Sequence, residues 1–306
     1  MQTILGAKGV IARELAKNLT QYTDKIRLVS RNPEKVNATD ELLKADVTDF
    51  RQTLDAVKGS EVVYLTVGLK YDIKVWSELW PEIMTNVIEA CKESNAKLVF
   101  FDNVYSYGKV EGVMTEETAY NPSSKKGEIR VKIAEQLMSE TRNGNLQALI
   151  ARAADFYGPN SPYSFPEILI FNNLKKGKKA QILISADKKH SYSYTPDAGK
   201  ATAMLGNTES AYNQVWHVPT DRNILTGKEF VEIAAEAMNT KPDYTILNKW
   251  MLKSLGLFIT EMKEIAEMTY QYDSDYIFDS SKFNNEFHYQ PVSYRQGIKE
   301  TAAGLL

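Results

Sequence analysis

The strongest constraint on this chain is the exchange of short apolar runs with amphipathic segments through its first half. Residues 2–6 form a short apolar run closed by Gly6, and residues 10–19 then set Val10, Ile11, Leu15 and Leu19 at helical spacing. That is strand, tight turn, helix. The exchange repeats: strand 25–30, helix near 51–58, strand 61–66, helix 76–94, strand 96–102, helix about 124–142, strand 146–152. Strands this apolar, joined by amphipathic helices, belong to a parallel sheet covered on both faces.

After Arg152 the texture changes. Tyr157-Gly158-Pro159 and Ser161-Pro162 are turn signals. A helix near 165–176, a strand near 180–185 and a tyrosine-rich turn at 190–196 follow. Beyond about 227 the pattern is mainly helical, with a long amphipathic segment near 248–270 whose Met251, Leu252, Leu255, Phe258, Ile259, Met262 and Ile265 read as packing residues. The expected fold is α/β: a Rossmann-type doubly wound parallel sheet over 1–155 and a smaller, mostly helical substrate region over 156–306. A stretch of the second region, about 196–218, is expected to return to the first.

Charge and cysteine content narrow the function classes. With 37 basic and 39 acidic residues interspersed, the chain has no electrostatic footprint for nucleic acid or an anionic membrane. One cysteine, Cys91, allows no internal disulfide, and the dispersed His190, His217 and His288 suggest no metal centre. The first residues lack the basic start of a leader peptide and no apolar stretch reaches spanning length, so a cytoplasmic location is expected.

The turn after the first strand is the chemical clue. Gly6-Ala7-Lys8-Gly9-Val10-Ile11-Ala12 stands where a dinucleotide pyrophosphate would meet free backbone N–H groups and the positive end of a helix. Gly6 permits the tight turn, Gly9 the close approach, and Ala12 takes the place of a third glycine. The second strand ends in Ser30-Arg31, without the carboxylate that would hold the ribose hydroxyls of NAD. Arg31 can pair with a 2′-phosphate and Ser30 can donate beside it, which favours NADP over NAD. Asp46 and Val47 are placed for the adenine, and Val67 and Gly68 let the backbone pass close to the cofactor.

Taken together, Gly6-x-x-Gly9-x-x-Ala12, Asp46-Val47-Thr48-Asp49, Asp102 through Gly108, Arg152 through Pro159 and Asp279-Ser280-Ser281 resemble the NAD-dependent epimerase/dehydratase family, the extended and here atypical short-chain dehydrogenase/reductases. The resemblance implies hydride chemistry on a hydroxyl or keto group, often of a nucleotide sugar, and a homodimer built on helices 76–94 and 124–142. It implies Ala154 and Phe156 beside the cofactor and Lys132 as the lysine that binds the nicotinamide ribose. Four residues before Lys132 stands Glu128 in place of the family tyrosine, and Asn103 holds the serine position. Tyr105 or Tyr107, at the end of a central strand, can then serve as proton donor. Tyr71, Asp72, Trp76, Tyr157, Tyr163, His190 and Tyr192 are candidates for the substrate cleft. Two readings stay open: an NAD(P)-dependent oxidoreductase or epimerase/dehydratase acting on a small or sugar-like carbonyl compound, and a dinucleotide-binding sensor without turnover. A structural or assembly subunit is a weaker third.

Overall fold

The computed structural model describes residues 1–255 and 260–305. In chain order its elements are β1 (Gln2–Leu5), α1 (Val10–Leu19), β2 (Ile26–Ser30), β3 (Glu41–Lys44), α2 (Phe50–Val57), β4 (Val62–Leu65), α3 (Ile73–Ser94), β5 (Lys97–Asn103), β6 (Val113–Met114), α4 (Lys125–Arg142), β7 (Ala148–Ala153) and β8 (Asp155–Tyr157). They continue with α5 (Asn172–Lys175), β9 (Ala180–Leu183), β10 (Tyr192–Tyr194), α6 (Thr195–Gly206), β11 (Val215–His217), α7 (Gly227–Ala237), β12 (Tyr244–Leu247), α8 (Lys249–Leu255), α9 (Thr260–Glu267), β13 (Ile277–Phe278), α10 (Ser281–Glu286) and α11 (Tyr294–Ala303).

Two compact units are formed. Unit 1 comprises Met1–Asn103, Lys125–Arg152 and Ala198–Val218; unit 2 comprises Val104–Ser124, Ala153–Asp197 and Pro219–Leu306.

Unit 1 is a seven-stranded sheet in the order β11-β7-β5-β4-β1-β2-β3 with helices beside it, a Rossmann-like arrangement. Pairing is parallel, with Ile4 opposite Leu28 on one side and Tyr64 on the other. The inner strands are apolar throughout because both faces are covered: Ile4, Leu5, Val63, Leu65, Val99 and Phe100 are withdrawn from solvent. The chain leaves β1 toward β2 and β3, then returns to lay β4 on the other side of β1. The order of strands therefore reverses between β1 and β4, and the carboxyl ends of these two strands define the switch point at which open α/β sheets hold ligands. β3 is short and its outer residues are exposed, as suits an edge strand.

Among its described residues, unit 2 carries three two-stranded parallel sheets, β8 with β10, β9 with β12 and β6 with β13. The tyrosine-rich segment expected as a turn is in part a strand: Tyr192, Ser193 and Tyr194 pair with Asp155, Phe156 and Tyr157. The helix expected over 165–176 begins as a π-turn, Glu167–Phe171, and becomes α-helical only in α5. Of the long amphipathic segment, the described residues form α8 and α9. Leu252 and Ile265 are buried in the core of this unit and Met251 packs against it. Phe258 and Ile259, and the side chains of Leu255 and Met262, lie outside the described residues.

Candidate functional site

The glycine turn is set by contact rather than by flexibility. Gly6 has φ +93°, and a Cβ there would stand 2.7 Å from both the N and Cα of Val67. Only a residue without a side chain lets the end of β1 come this close to the end of β4. The Gly6 and Ala7 N–H groups donate to the Val29 carbonyl at 3.0 and 3.1 Å, which ties the turn to β2. Gly9 then starts α1 with an extended backbone and no side-chain cap, and no acidic residue occupies the first turn. A Cβ on Gly9 would meet nothing closer than 3.7 Å. The first N–H groups of α1 thus open onto the switch point without a side-chain acceptor, the arrangement that receives a phosphate.

Around this turn the remaining candidates of unit 1 divide. Val10 is half-buried, while Ile11 and Ala12 are buried beneath the turn. Ser30 closes β2 with its hydroxyl buried and, among the described residues, without a hydrogen-bond partner. Arg31 is exposed just beyond it. Asp46 accepts from the Thr48 N–H at 3.1 Å and from its hydroxyl at 2.9 Å, while Asn86 of α3 donates to the Val47 carbonyl at 3.2 Å. Val67 is half-buried against Gly6 and Gly68 is exposed. Lys8, which sequence reasoning passed over, is exposed between the two glycines, 3.6 Å from Glu34. Its position immediately before Gly9 was the available signal.

The residues of α4 divide between its two faces. Lys132 and Glu128 are both exposed, on the outer face of the helix. The inward face carries Lys126, Gly127, Ile129, Arg130, Ile133, Ala134 and Leu137. Lys126 and Arg130, four residues apart, are therefore the charged pair turned into the unit. Lys126 is fully buried with Nζ 4.5 Å from the centre of the Tyr71 ring. Arg130 places its guanidinium carbon 4.1 Å from the Trp80 ring centre and 4.8 Å from that of Trp76. Its Nη1 is 3.3 Å from Asp102 Oδ1, and Arg152 donates to Asp102 Oδ2 through Nε and Nη2 at 3.2 and 3.1 Å. Asp102 at the end of β5 is thus shared by two buried guanidinium groups. Asn103, the next residue, is half-buried.

Two further cleft candidates are structural in unit 1. Asp72 caps α3, accepting from the Lys74 N–H at 2.9 Å. Trp76 is buried, donates to the Lys70 carbonyl at 3.0 Å and meets Trp80 edge-on. Both are accounted for by helix start and core packing.

In unit 2, Tyr107 is fully buried against Tyr120, and Tyr105 is buried nearby in the same 3-10 turn. Ala154 is buried, its N–H donating to the Ser193 hydroxyl oxygen at 3.0 Å, and Phe156 is half-buried. Tyr157 is 1% exposed and lies among Tyr194, Phe230 and Tyr294, so it is a core residue and not a cleft wall. Tyr163 is at the other extreme, 91% exposed. His190 is buried: Nε2 lies 3.0 Å from Asp155 Oδ2, Nδ1 lies 3.2 Å from the Gln271 carbonyl, and the ring stacks on Tyr272 at 4.4 Å. Tyr272 donates to the same Asp155 oxygen at 3.0 Å. Tyr192 lies against His190 and Phe230, half-buried.

The switch-point turn coincides with a match in sequence: the model of the NAD dependent epimerase/dehydratase family fits residues 3–218. The chain belongs to this family. Solved structures of epimerases and dehydratases share its fold at low identity. A dTDP-glucose 4,6-dehydratase from Streptomyces venezuelae, with NAD bound, is 16% identical over 99% of this chain and 96% of its own, at a TM-score of 0.80. A UDP-glucuronic acid 4-epimerase from Bacillus cereus in complex with NAD is 16% identical over 100% and 98%, also at 0.80. A UDP-N-acetylglucosamine 4-epimerase from Methanobrevibacter ruminantium is 17% identical over 99% and 97%, at 0.79. No curated protein matches this epimerase/dehydratase family member in sequence. Among its described residues no helix is long and apolar enough to cross a membrane, and no three histidine, cysteine or acidic side chains are grouped for a metal ion.

Proposed function

We propose that the chain is an NAD(P)-dependent enzyme of the epimerase/dehydratase type, acting on a small or sugar-like carbonyl or hydroxyl compound, with NADP preferred over NAD. The observation that carries this reading is the contact of Gly6 with Val67 at the switch point, beside the uncapped start of α1. That cradle fits a pyrophosphate, and the unsatisfied Ser30 hydroxyl fits a ribose or its phosphate. Gly6, Gly9, Val10, Ile11 and Ala12 would hold the pyrophosphate, Asp46 and Val47 the adenine, and Val67 and Gly68 the passage toward the nicotinamide. The bound nicotinamide would supply hydride transfer.

Preference for NADP rests on charge. Arg31 is exposed beside Ser30, with no acidic residue at the end of β2. Lys8 and Glu34 are each more than half exposed, so their ion pair is weak and a 2′-phosphate competes for the lysine. Proton handling is assigned to the inward face of α4: Lys126 donates or accepts the proton at the substrate oxygen, and Arg130, fixed by Asp102, adds positive potential behind it. A homodimer through α3 and α4 belongs to the same proposal.

One observation favours the alternative of a dinucleotide sensor: α4 contains no tyrosine. Turnover separates the two. NADPH oxidation should be followed with a panel of aldehydes, ketones and keto sugars, using wild type, Lys126→Met and Lys132→Ala. The enzyme reading expects a carbonyl substrate whose turnover falls roughly 100-fold or more in Lys126→Met and is unchanged in Lys132→Ala. Binding of NADPH without turnover of any panel member would favour the sensor.

A further inference from the structure

Two cations of unit 1 stand at the positive end of a helix. The peptide dipoles of α1 make its start positive, so that acidic side chains there are favourable and basic ones are not. Its first turn contains no acidic residue. Instead Lys8 lies in the turn just before Gly9, and Arg13 follows the first helical turn, its N–H donating to the Gly9 carbonyl at 3.1 Å. Basic side chains gathered at such an end are stabilised when an anion answers them.

The answering anion comes from the segment after β2. Glu34 sets Oε1 3.6 Å from Lys8 Nζ and Oε2 4.0 Å from Arg13 Nη1, one carboxylate oxygen toward each cation. Each of the three side chains is more than half exposed, so water screens both pairs and each is weak. The same segment brings a third cation. Because the Gly6 and Ala7 N–H groups hold the turn to the Val29 carbonyl, Ser30 and Arg31 follow directly beside it. The Ser30 hydroxyl is buried without a hydrogen-bond partner among the described residues, and Arg31 is exposed. Lys35 is engaged elsewhere, donating to the Ala38 carbonyl at 2.7 Å. Lys8, Arg13 and Arg31 therefore gather around a single weakly held carboxylate.

We infer that Glu34 is the built-in counter-anion of a phosphate site formed by Lys8, Arg13 and Arg31, and that the 2′-phosphate of an adenosine cofactor displaces it. In sheets of this topology the adenine ribose of a dinucleotide lies at the end of the second strand, where the segment carrying Glu34 begins. A phosphate monoester brings a charge of about −1.5 to −2 and three strong acceptor oxygens, and outcompetes one exposed carboxylate for these cations. NAD(H), with hydroxyls alone at that position, leaves Glu34 on Lys8 and Arg13. Glu34 is thus a specificity-determining residue that holds the preference for NADP(H) below what the three cations alone would give. The inference rests on the dinucleotide reading proposed above, and adds Arg13 and the displacement of Glu34 to it.

The test is fluorescence titration of the full chain with NADPH and NADH, which differ only in the 2′-phosphate, in wild type, Glu34→Gln, Arg13→Met and Glu41→Gln. Glu41 is the control: it pairs with Arg27 at 2.8 Å, at the opposite end of β2 and β3. Glu34→Gln should tighten NADPH about three- to tenfold at low salt and leave NADH within about twofold. The gain should shrink in roughly 0.5 M salt, where exposed charges are screened. Arg13→Met should weaken NADPH about three- to tenfold and spare NADH, while Glu41→Gln should change neither. Glu34 and Arg13 are exposed, so both variants keep the fold. Equal tightening of the two dinucleotides in Glu34→Gln, no change in it, or the same gain in Glu41→Gln overturns the inference and leaves the dinucleotide site standing. Failure of both dinucleotides to bind any variant overturns the inference together with the reading on which it rests.

Discussion

Arg130 Nη1 lies 3.3 Å from Asp102 Oδ1, with both side chains withdrawn from solvent. Because Arg152 holds the other oxygen of the same carboxylate, Asp102 neutralises two buried cations at once. Removing it leaves both guanidinium groups without their shared acceptor in a medium that solvates charge poorly. Asp102→Ala is expected to lower unfolding free energy by about 3–5 kcal/mol, measured by urea denaturation. The exposed pair Arg295–Glu236, 2.8 Å apart, serves as the comparison: Glu236→Ala should cost about 0–1 kcal/mol. Equal effects at the two sites would contradict the assignment.

Gly6→Ala should destabilise unit 1 even with no ligand present. The added methyl meets backbone atoms of Val67 at 2.7 Å, and φ +93° is itself unfavourable for alanine. Thermal unfolding should fall by an amount equivalent to about 2 kcal/mol or more, whereas Gly9→Ala, with its open surroundings, should unfold near the wild-type temperature.

Cys91 is fully buried on α3, and burial pushes its thiol well above the usual range. Ellman's reagent at mildly alkaline pH should leave the native protein unlabelled and react with one thiol per chain after denaturation. Rapid labelling of the folded chain would show that α3 opens far more readily than its packing implies.

Buried phenols set an alkaline limit to stability. Burial first, and the neighbouring Asp155 carboxylate second, raise the Tyr192 and Tyr272 hydroxyls; burial likewise raises Tyr64. Free tyrosines ionise near pH ~10, so above that pH the unfolded chain releases protons that the native one retains. The contribution to stability is complete below the unfolded value and is lost as pH rises through and above it. Unfolding free energy measured from pH ~8 upward should be flat and then fall beyond pH ~10, with phenolate absorbance appearing together with loss of structure. Reversible ionisation of all tyrosines with the fold intact would contradict the burial of these side chains.

The sheet was legible because its information is local: apolar runs, amphipathic helices and the Gly6 turn each lie within a few residues. The helix phase of α4 was the harder problem. Counting spacing led to Lys132, but the stripe Ile129, Ile133, Ala134 and Leu137 marks the inward face, and Lys126 and Arg130 fall on it. Charged residues on an apolar stripe are ordinarily discounted, which hid the pair. Tyr157 and Tyr192 show another limit. Their strands, β8 and β10, are distant in sequence and short, so a segment of three paired residues read as a turn. The acceptors of His190 are similarly non-local, with Asp155 on β8 and Gln271 beyond α9.

The central claim is that the switch-point turn holds a dinucleotide, and titration of the purified chain with NADPH and NADH, following cofactor fluorescence, tests it most directly. The account predicts saturable binding of both, tighter for NADPH, with that preference lost in Arg31→Ala. Equal affinities insensitive to Arg31 would remove the role given to this residue. Failure of either dinucleotide to bind, in reduced or oxidised form, would contradict the claim itself.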